Sequence, residues 1–167
     1  MHKGFQPTLF DRLSDDSPDV VSETVTLRRW SLQDLKDAVA RDVEALLNSR
    51  AGLPEERYAD FIEVSRSLVS FGMTDFVGLS LASPADRNRI CRTLERTIST
   101  HEPRLKSIHV GLDVDGTAVN RLRFSIQALL QVHPADEPVN FDAVLSPSSL
   151  QYSVGRGRLA AGHLAHG

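Results

Sequence analysis

After Trp30, apolar residues recur at helical spacing: Leu32, Leu35, Val39, Val43, Leu46 and Leu47. That spacing puts them on one side of a helix. Ser31 precedes the stripe as an N-cap, and Asp34, three positions on, supplies a capping-box partner. Asp34, Lys36, Asp37, Arg41, Asp42 and Glu44 fill the opposite side, and Gly52 and Pro54 close the helix. A second helix opens at Ser83, with Pro84 in the first helical position and Asp86 completing the box. Ile90, Cys91, Leu94 and Ile98 form its buried stripe, and Cys91 reads as a small core residue. Pro103 disfavours helical geometry at Glu102, so this helix ends near His101.

The period then changes from helical to alternating. Ile108, Val110, Leu112 and Val114 point one way; His109, Gly111 and Asp113 point the other. Asp115-Gly116 signals a hairpin turn. Leu122, Phe124, Ile126, Ala128, Leu130 and Val132 alternate next, then Val139, Phe141, Ala143 and Leu145, then the shorter Leu150, Tyr152 and Val154. The fold class predicted is α+β, with two or three helices on one face of an antiparallel sheet of three or four strands.

The stretch from Tyr58 to Leu81 fits no single period, and Gly72 and Gly78 break it further. A short helix is expected there, followed by an irregular loop that packs Phe71, Met73, Phe76 and Leu79 inward. Residues 1–30 read as a flexible N-terminal docking arm with Asp11, Asp15, Asp16, Pro18 and Asp19. Within it, Thr8 caps one turn that sets Leu9, Phe10 and Leu13 on a shared face. One turn is too short to be stable alone; it packs on its own domain or docks into a partner's groove. Residues 31–155 form the α+β domain. Residues 156–167 turn to Gly, Ala, Arg and His and are expected to be a disordered tail.

Composition narrows the function. Charged residues make up 25% and the net charge is −3, with no basic stripe, and aromatics are only 6%, so nucleic acid is not an expected partner. No run is apolar enough to span a bilayer. Met1 to Asp11 lacks a signal-peptide-like apolar stretch, and the one cysteine allows no intrachain disulfide. Both fit a cytoplasmic location. The six histidines show no structural zinc spacing. There is no phosphate-binding loop ahead of a helix and no nucleophile elbow, so neither metal nor cofactor is expected.

Two features carry candidate chemistry. Glu95, Glu102, Asp113 and Asp115 are acids that a glycosidase would need as a facing pair. Glu102-Pro103-Arg104 sits where the second helix hands over to the first strand. Proline stiffens that corner, so its two charges leave it in fixed directions. They serve as solvated surface charges, as a lock between helix and sheet, or as a pair aimed at another chain.

Several segments resemble one family in order along the chain. Thr8-Leu9-Phe10-Asp11-Arg12-Leu13 is similar to its N-terminal signature. Leu46-Leu47-Asn48-Ser49-Arg50 resembles its Leu-Leu-Asn-Thr-Arg segment. Ser67-Leu68-Val69-Ser70-Phe71-Gly72-Met73-Thr74-Asp75-Phe76 resembles its Ser-Val-Leu-Asn-Tyr-Gly-Leu-Pro-Asp-Leu segment. Glu102-Pro103-Arg104-Leu105 is similar to its central motif, and Leu122-Arg123-Phe124-Ser125-Ile126 and Val139-Asn140-Phe141-Asp142 follow in register. The family is TssE, the baseplate protein of type VI secretion systems, which is similar to a wedge component of contractile phage tails labelled "lysozyme-like". The likeness runs from about Thr8 to Tyr152. Ser70, Thr74 and Ser49 depart from its usual Asn, Pro and Thr.

That resemblance implies a structural, non-enzymatic role in a baseplate at the cytoplasmic face of the inner membrane. The implied partners are the wedge proteins TssF, TssG and TssK and the sheath proteins TssB and TssC. It also implies that Glu102, Pro103 and Arg104 belong to the part that starts the sheath. Leu9, Phe10 and Leu13 are the other candidate partner contacts. An exposed sheet edge, able to accept a strand from another chain, is the expected physical basis for docking. The alternative function is a glycoside hydrolase acting on peptidoglycan; a stand-alone regulatory adaptor is a third.

Overall fold

A computed structural model describes Phe5 and residues 30–74, 83–113, 122–146 and 148–157. The described residues form two α-helices, α1 (Leu32–Asn48) and α2 (Pro84–His101). Their four strands, β1 (Leu105–Asp113), β2 (Leu122–Leu130), β3 (Glu137–Ser146) and β4 (Gln151–Arg156), pair antiparallel in the order β1-β2-β3-β4. The architecture is therefore α+β, with both helices packed on the sheet, α1 over β4 and α2 over β1.

Both helix starts follow from local chemistry. Ser31 and Asp34 make the full capping box, with the Asp34 N–H donating to Ser31 Oγ at 3.2 Å and the Ser31 N–H to Asp34 Oδ2 at 2.9 Å. Ser83 Oγ accepts from the Asp86 N–H, and Pro84 opens α2. Leu35, Val39, Val43, Leu46 and Leu47 of α1 meet Ile90, Leu94 and Ile98 of α2 and the inward residues Phe124, Ile126, Phe141 and Ala143 in one core. Cys91 is half-buried at its margin. Burying such side chains supplies roughly 1.5–3 kcal/mol each for the larger ones, which is what holds two layers together.

β1 contains an irregularity that simple alternation does not predict. Leu105 pairs with Leu130 and Lys106 with Leu129, then the register slips before His109 pairs with Gln127. Ser107 takes up the extra residue at φ 50. The bulge changes phase, so Leu105 and Val110, at odd and even positions, are both buried. β2 and β3 keep strict alternation. Leu150 is not in a strand; it is an exposed turn residue. β4 instead continues to Arg156, and the Gly157 N–H donates to the Asn140 carbonyl.

Among its described residues, 49–74, the segment after α1 holds no α-helix. It makes two single-turn 3₁₀ helices, Glu55–Arg57 and Val64–Arg66. The expected short helix is thus reduced to turns. Met73 is buried because backbone, not periodicity, places it: the Met73 N–H donates to the Ser49 carbonyl and the Ala51 N–H to the Met73 carbonyl. Gly72 makes that approach possible. It sits at φ 115, and a Cβ there would stand 2.6 Å from the Ser49 carbonyl. Phe76, Leu79, Val114, Asp115 and Gly116 lie outside the described residues, as do Leu9, Phe10 and Leu13.

Candidate functional site

The corner between α2 and β1 begins where α2 runs out of helical geometry. The Glu102 N–H still donates to the Ile98 carbonyl, but Glu102 has left the helix at φ −119, ψ 82. Pro103 follows, the Leu105 N–H turns back to the Glu102 carbonyl, and the Gln131 N–H fixes the Arg104 carbonyl at 2.8 Å. The turn thus has its backbone satisfied from both sides before any side chain acts.

The charges then fold onto each other. Glu102 is 5% exposed. Its Oε1 accepts from Arg104 Nε at 2.7 Å and from the Arg104 backbone N–H at 3.2 Å, while Oε2 accepts from Nη2. Nη2 also donates to Asp42 Oδ2, on α1. A guanidinium fork used in this way is a strong, directional contact. Its hydrogen bonds with Glu102 outweigh desolvation and hold Arg104 protonated well above its ordinary range. The three residues form a clasp that ties α1 to the junction of α2 and β1. Of the open alternatives, the geometry gives Glu102 an intradomain partner. The Arg104 side chain remains 26% exposed and Asp42 53%, and Pro103 is exposed. A partner reaching this corner meets Asp42, Pro103 and the outer edge of Arg104. Glu102 stays inside.

The sheet edges, expected to be open to strand addition, are occupied by helix side chains. On β4, Asn48 brackets Tyr152: its Oδ1 accepts the Tyr152 N–H at 2.7 Å and its Nδ2 donates to the Tyr152 carbonyl at 2.8 Å. Glu44 accepts the Val154 N–H, and Arg156 pairs with Asp37 and donates to Gln33. On β1, Glu95 of α2 accepts the Val110 N–H at 2.8 Å. Burial, aided by Glu95, pushes the Cys91 thiol up. Helices lying along a sheet's rims are one way to blunt an edge strand. An incoming strand at Tyr152, Val154 or Val110 has to displace these bonds first.

Sequence reasoning placed Glu102, Pro103 and Arg104 at one corner, as observed, but missed Asp42, Glu44 and Asn48 as their partners and counterparts. The polar side of α1 reads in sequence only as the face opposite the apolar stripe. Instead Lys36 reaches Glu137, Asp37 reaches Arg156, Asp42 reaches Arg104 and Glu44 reaches β4.

Two of the acids considered for glycoside chemistry are held by hydrogen bonds within the domain. Glu102 is bonded to Arg104, and Glu95 to the Val110 N–H with His109 Nδ1 at 3.9 Å. Asp113 closes β1, and Asp115 lies outside the described residues. Among the described residues no cluster of three or more His, Cys, Asp or Glu is placed to hold a metal ion, and no helix is long and apolar enough to cross a membrane.

The family model described as baseplate wedge protein gp25 matches residues 33–135, more than half of the chain. The matched span runs from α1 through both edge-capping helices to the end of β2, with Glu102-Pro103-Arg104 inside it. No curated protein matches the chain.

Proposed function

This chain belongs to the family of baseplate wedge protein gp25, which also holds the TssE proteins, and on that footing we propose that it is the TssE component of a type VI secretion baseplate. In this reading it joins the baseplate wedge to the contractile sheath and helps start sheath assembly. Its work is structural and proceeds without turnover. Its partners are TssF, TssG and TssK in the wedge and TssB and TssC in the sheath, met at the cytoplasmic face of the inner membrane. The observation that carries the reading is the family match, together with the sense its motifs make locally. Asn48 of the Leu-Leu-Asn segment brackets β4, Gly72 permits a backbone contact with Ser49, and Glu102 and Arg104 close the clasp with Asp42.

Docking in this account uses two places. Leu9, Phe10 and Leu13 supply the apolar face of the arm. Asp42, Pro103 and the outer edge of Arg104 supply the corner. Changing Leu9, Phe10 and Leu13 together to Ser tests the arm. The melting midpoint of the isolated chain is expected to stay nearly unchanged while sheath number in cells drops. A midpoint lowered by many degrees makes the segment core and ends the docking role.

A further inference from the structure

A groove of about 1230 Å³ runs between α2 and the loop that follows α1. It is not part of the Glu-Pro-Arg corner. Its α2 wall carries Arg89, Arg92 and Arg96, three and four residues apart and so on one helix face. Arg50 and Leu53 stand in the loop wall. Glu56 is the acid among the lining residues. Four arginines therefore face one carboxylate in a chain whose net charge is −3.

Arg50, Arg89 and Arg92 differ from the charges along α1. Along α1, Lys36, Asp37, Asp42 and Glu44 each reach a partner on another element. Arg50, Arg89 and Arg92 are exposed, and among the described residues none of them has a carboxylate at ion-pair distance. Like charges at helical spacing repel, so Arg89 and Arg92 side by side cost stability until an anion answers them. The guanidinium's planar fork favours carboxylate or phosphate as that anion.

Apolar exposure decides between those two. The loop forming the second wall also carries Phe61, Ile62 and Leu68, each more than half exposed, with Leu53 at the groove itself. Bulky apolar side chains left in water on the loop that walls a charged groove mark a protein-binding surface. A phosphate backbone has no use for them. A flat bilayer surface does not reach the floor of a concave groove.

We propose that this groove is a docking site for an acidic segment of another protein chain, one that sets bulky apolar side chains beside its carboxylates. Its carboxylates pair with Arg89, Arg92 and Arg50, and its apolar side chains cover Leu53 and the neighbouring loop residues. This deepens the assembly reading by naming the chemistry of one partner segment, and rests on it for expecting protein partners.

The test uses the full chain and a fluorescein-labelled short peptide of Glu, Leu and Phe with the apolar residues at helical spacing. A peptide with Lys for every Glu is the control. Fluorescence anisotropy is expected to show saturable binding of the acidic peptide, weakened by added salt. Arg89→Glu combined with Arg92→Glu is expected to weaken it at least tenfold, or about 1.4 kcal/mol. Both positions are exposed, so the melting curve should hold; if it does not, Arg89→Gln with Arg92→Gln takes over the comparison. Leu68→Ser should also weaken binding. Equal binding by the Lys peptide, or no effect of the arginine changes, overturns the proposal. So does arginine-dependent binding of phosphatidylglycerol vesicles or duplex DNA in the absence of peptide binding. Capture of purified TssF and TssG by the same wild-type chain separates the two readings. Capture without peptide binding overturns the groove alone; peptide binding without capture overturns the assembly role alone.

Discussion

Replacing Arg104 by Ala removes the centre of the clasp. Glu102, 5% exposed, keeps the Arg104 backbone N–H and loses both guanidinium contacts. Breaking a buried ion pair from one side costs roughly 3–5 kcal/mol, because a charge is left without compensation. The Arg104 side chain is 26% exposed, so water enters the vacated space and the low end, about 3 kcal/mol, applies. At roughly 2–4 °C per kcal/mol for a chain of this size, the midpoint should fall by about 6–12 °C. Asp42→Ala removes only a half-exposed contact and should cost about 0–1 kcal/mol. Arg104→Lys keeps the charge but not the fork, and should fall between the two. Circular-dichroism melts of the three purified variants provide the comparison. A midpoint for Arg104→Ala within about 2 °C of wild type, given the per-kcal scale above, would refute the clasp. The same melts interpret cell experiments: sheaths lost along with the fold assign Arg104 to architecture, and sheaths lost with a melt no lower than the clasp predicts assign it to docking as well.

Asn48→Ala should lower stability by about 1–3 kcal/mol, since it leaves the N–H and carbonyl of Tyr152 without their partner; urea denaturation with an unchanged slope checks it. Gly72→Ala should be worse tolerated than a surface change, because its Cβ meets Ser49 and Arg50 backbone atoms at 2.6–2.9 Å and φ 115 strains any side chain; a midpoint equal to wild type would contradict the close approach. Burial lowers the His101 pKa below its ordinary 6.5, despite the Ser70 carbonyl hydrogen bond. The unfolded chain therefore binds that proton more readily, so stability is full above pH 6.5 and declines as pH falls through the depressed folded value. His101→Gln should flatten that part of the stability profile; an unchanged slope would assign it elsewhere.

The elements legible in sequence are those whose cause is local. Ser31 with Asp34 and Ser83 with Pro84 mark the helix starts, and the alternation from Leu122 to Leu130 and Val139 to Leu145 marks the inner strands. The illegible parts are set by distant backbone or side-chain partners. Met73 is buried through a bridge to Arg50, not through any period around it. Ser107 absorbs a bulge whose need is set by β2. The direction of Glu102 and Arg104 could not be read from a proline corner, which permits both outward and inward charges. Asp42 completes the answer from 62 positions away. The edges looked open because the strands are short and few; their caps come from the polar side of α1 and from Glu95 of α2. Arg89, Arg92 and Arg96 share a face by spacing alone, but the loop that turns that face into a groove has no periodic signature.

The central claim is membership of a working baseplate, and capture by the intact chain tests it most directly. The purified, folded chain, immobilised by a tag at its C-terminus, is incubated with an extract containing TssF, TssG, TssK, TssB and TssC. The account predicts recovery of TssF and TssG with the wild-type chain and reduced recovery when Leu9, Phe10 and Leu13 are changed to Ser. A folded chain that recovers none of these proteins, yet degrades purified peptidoglycan with a rate abolished by one carboxylate substitution, would contradict it.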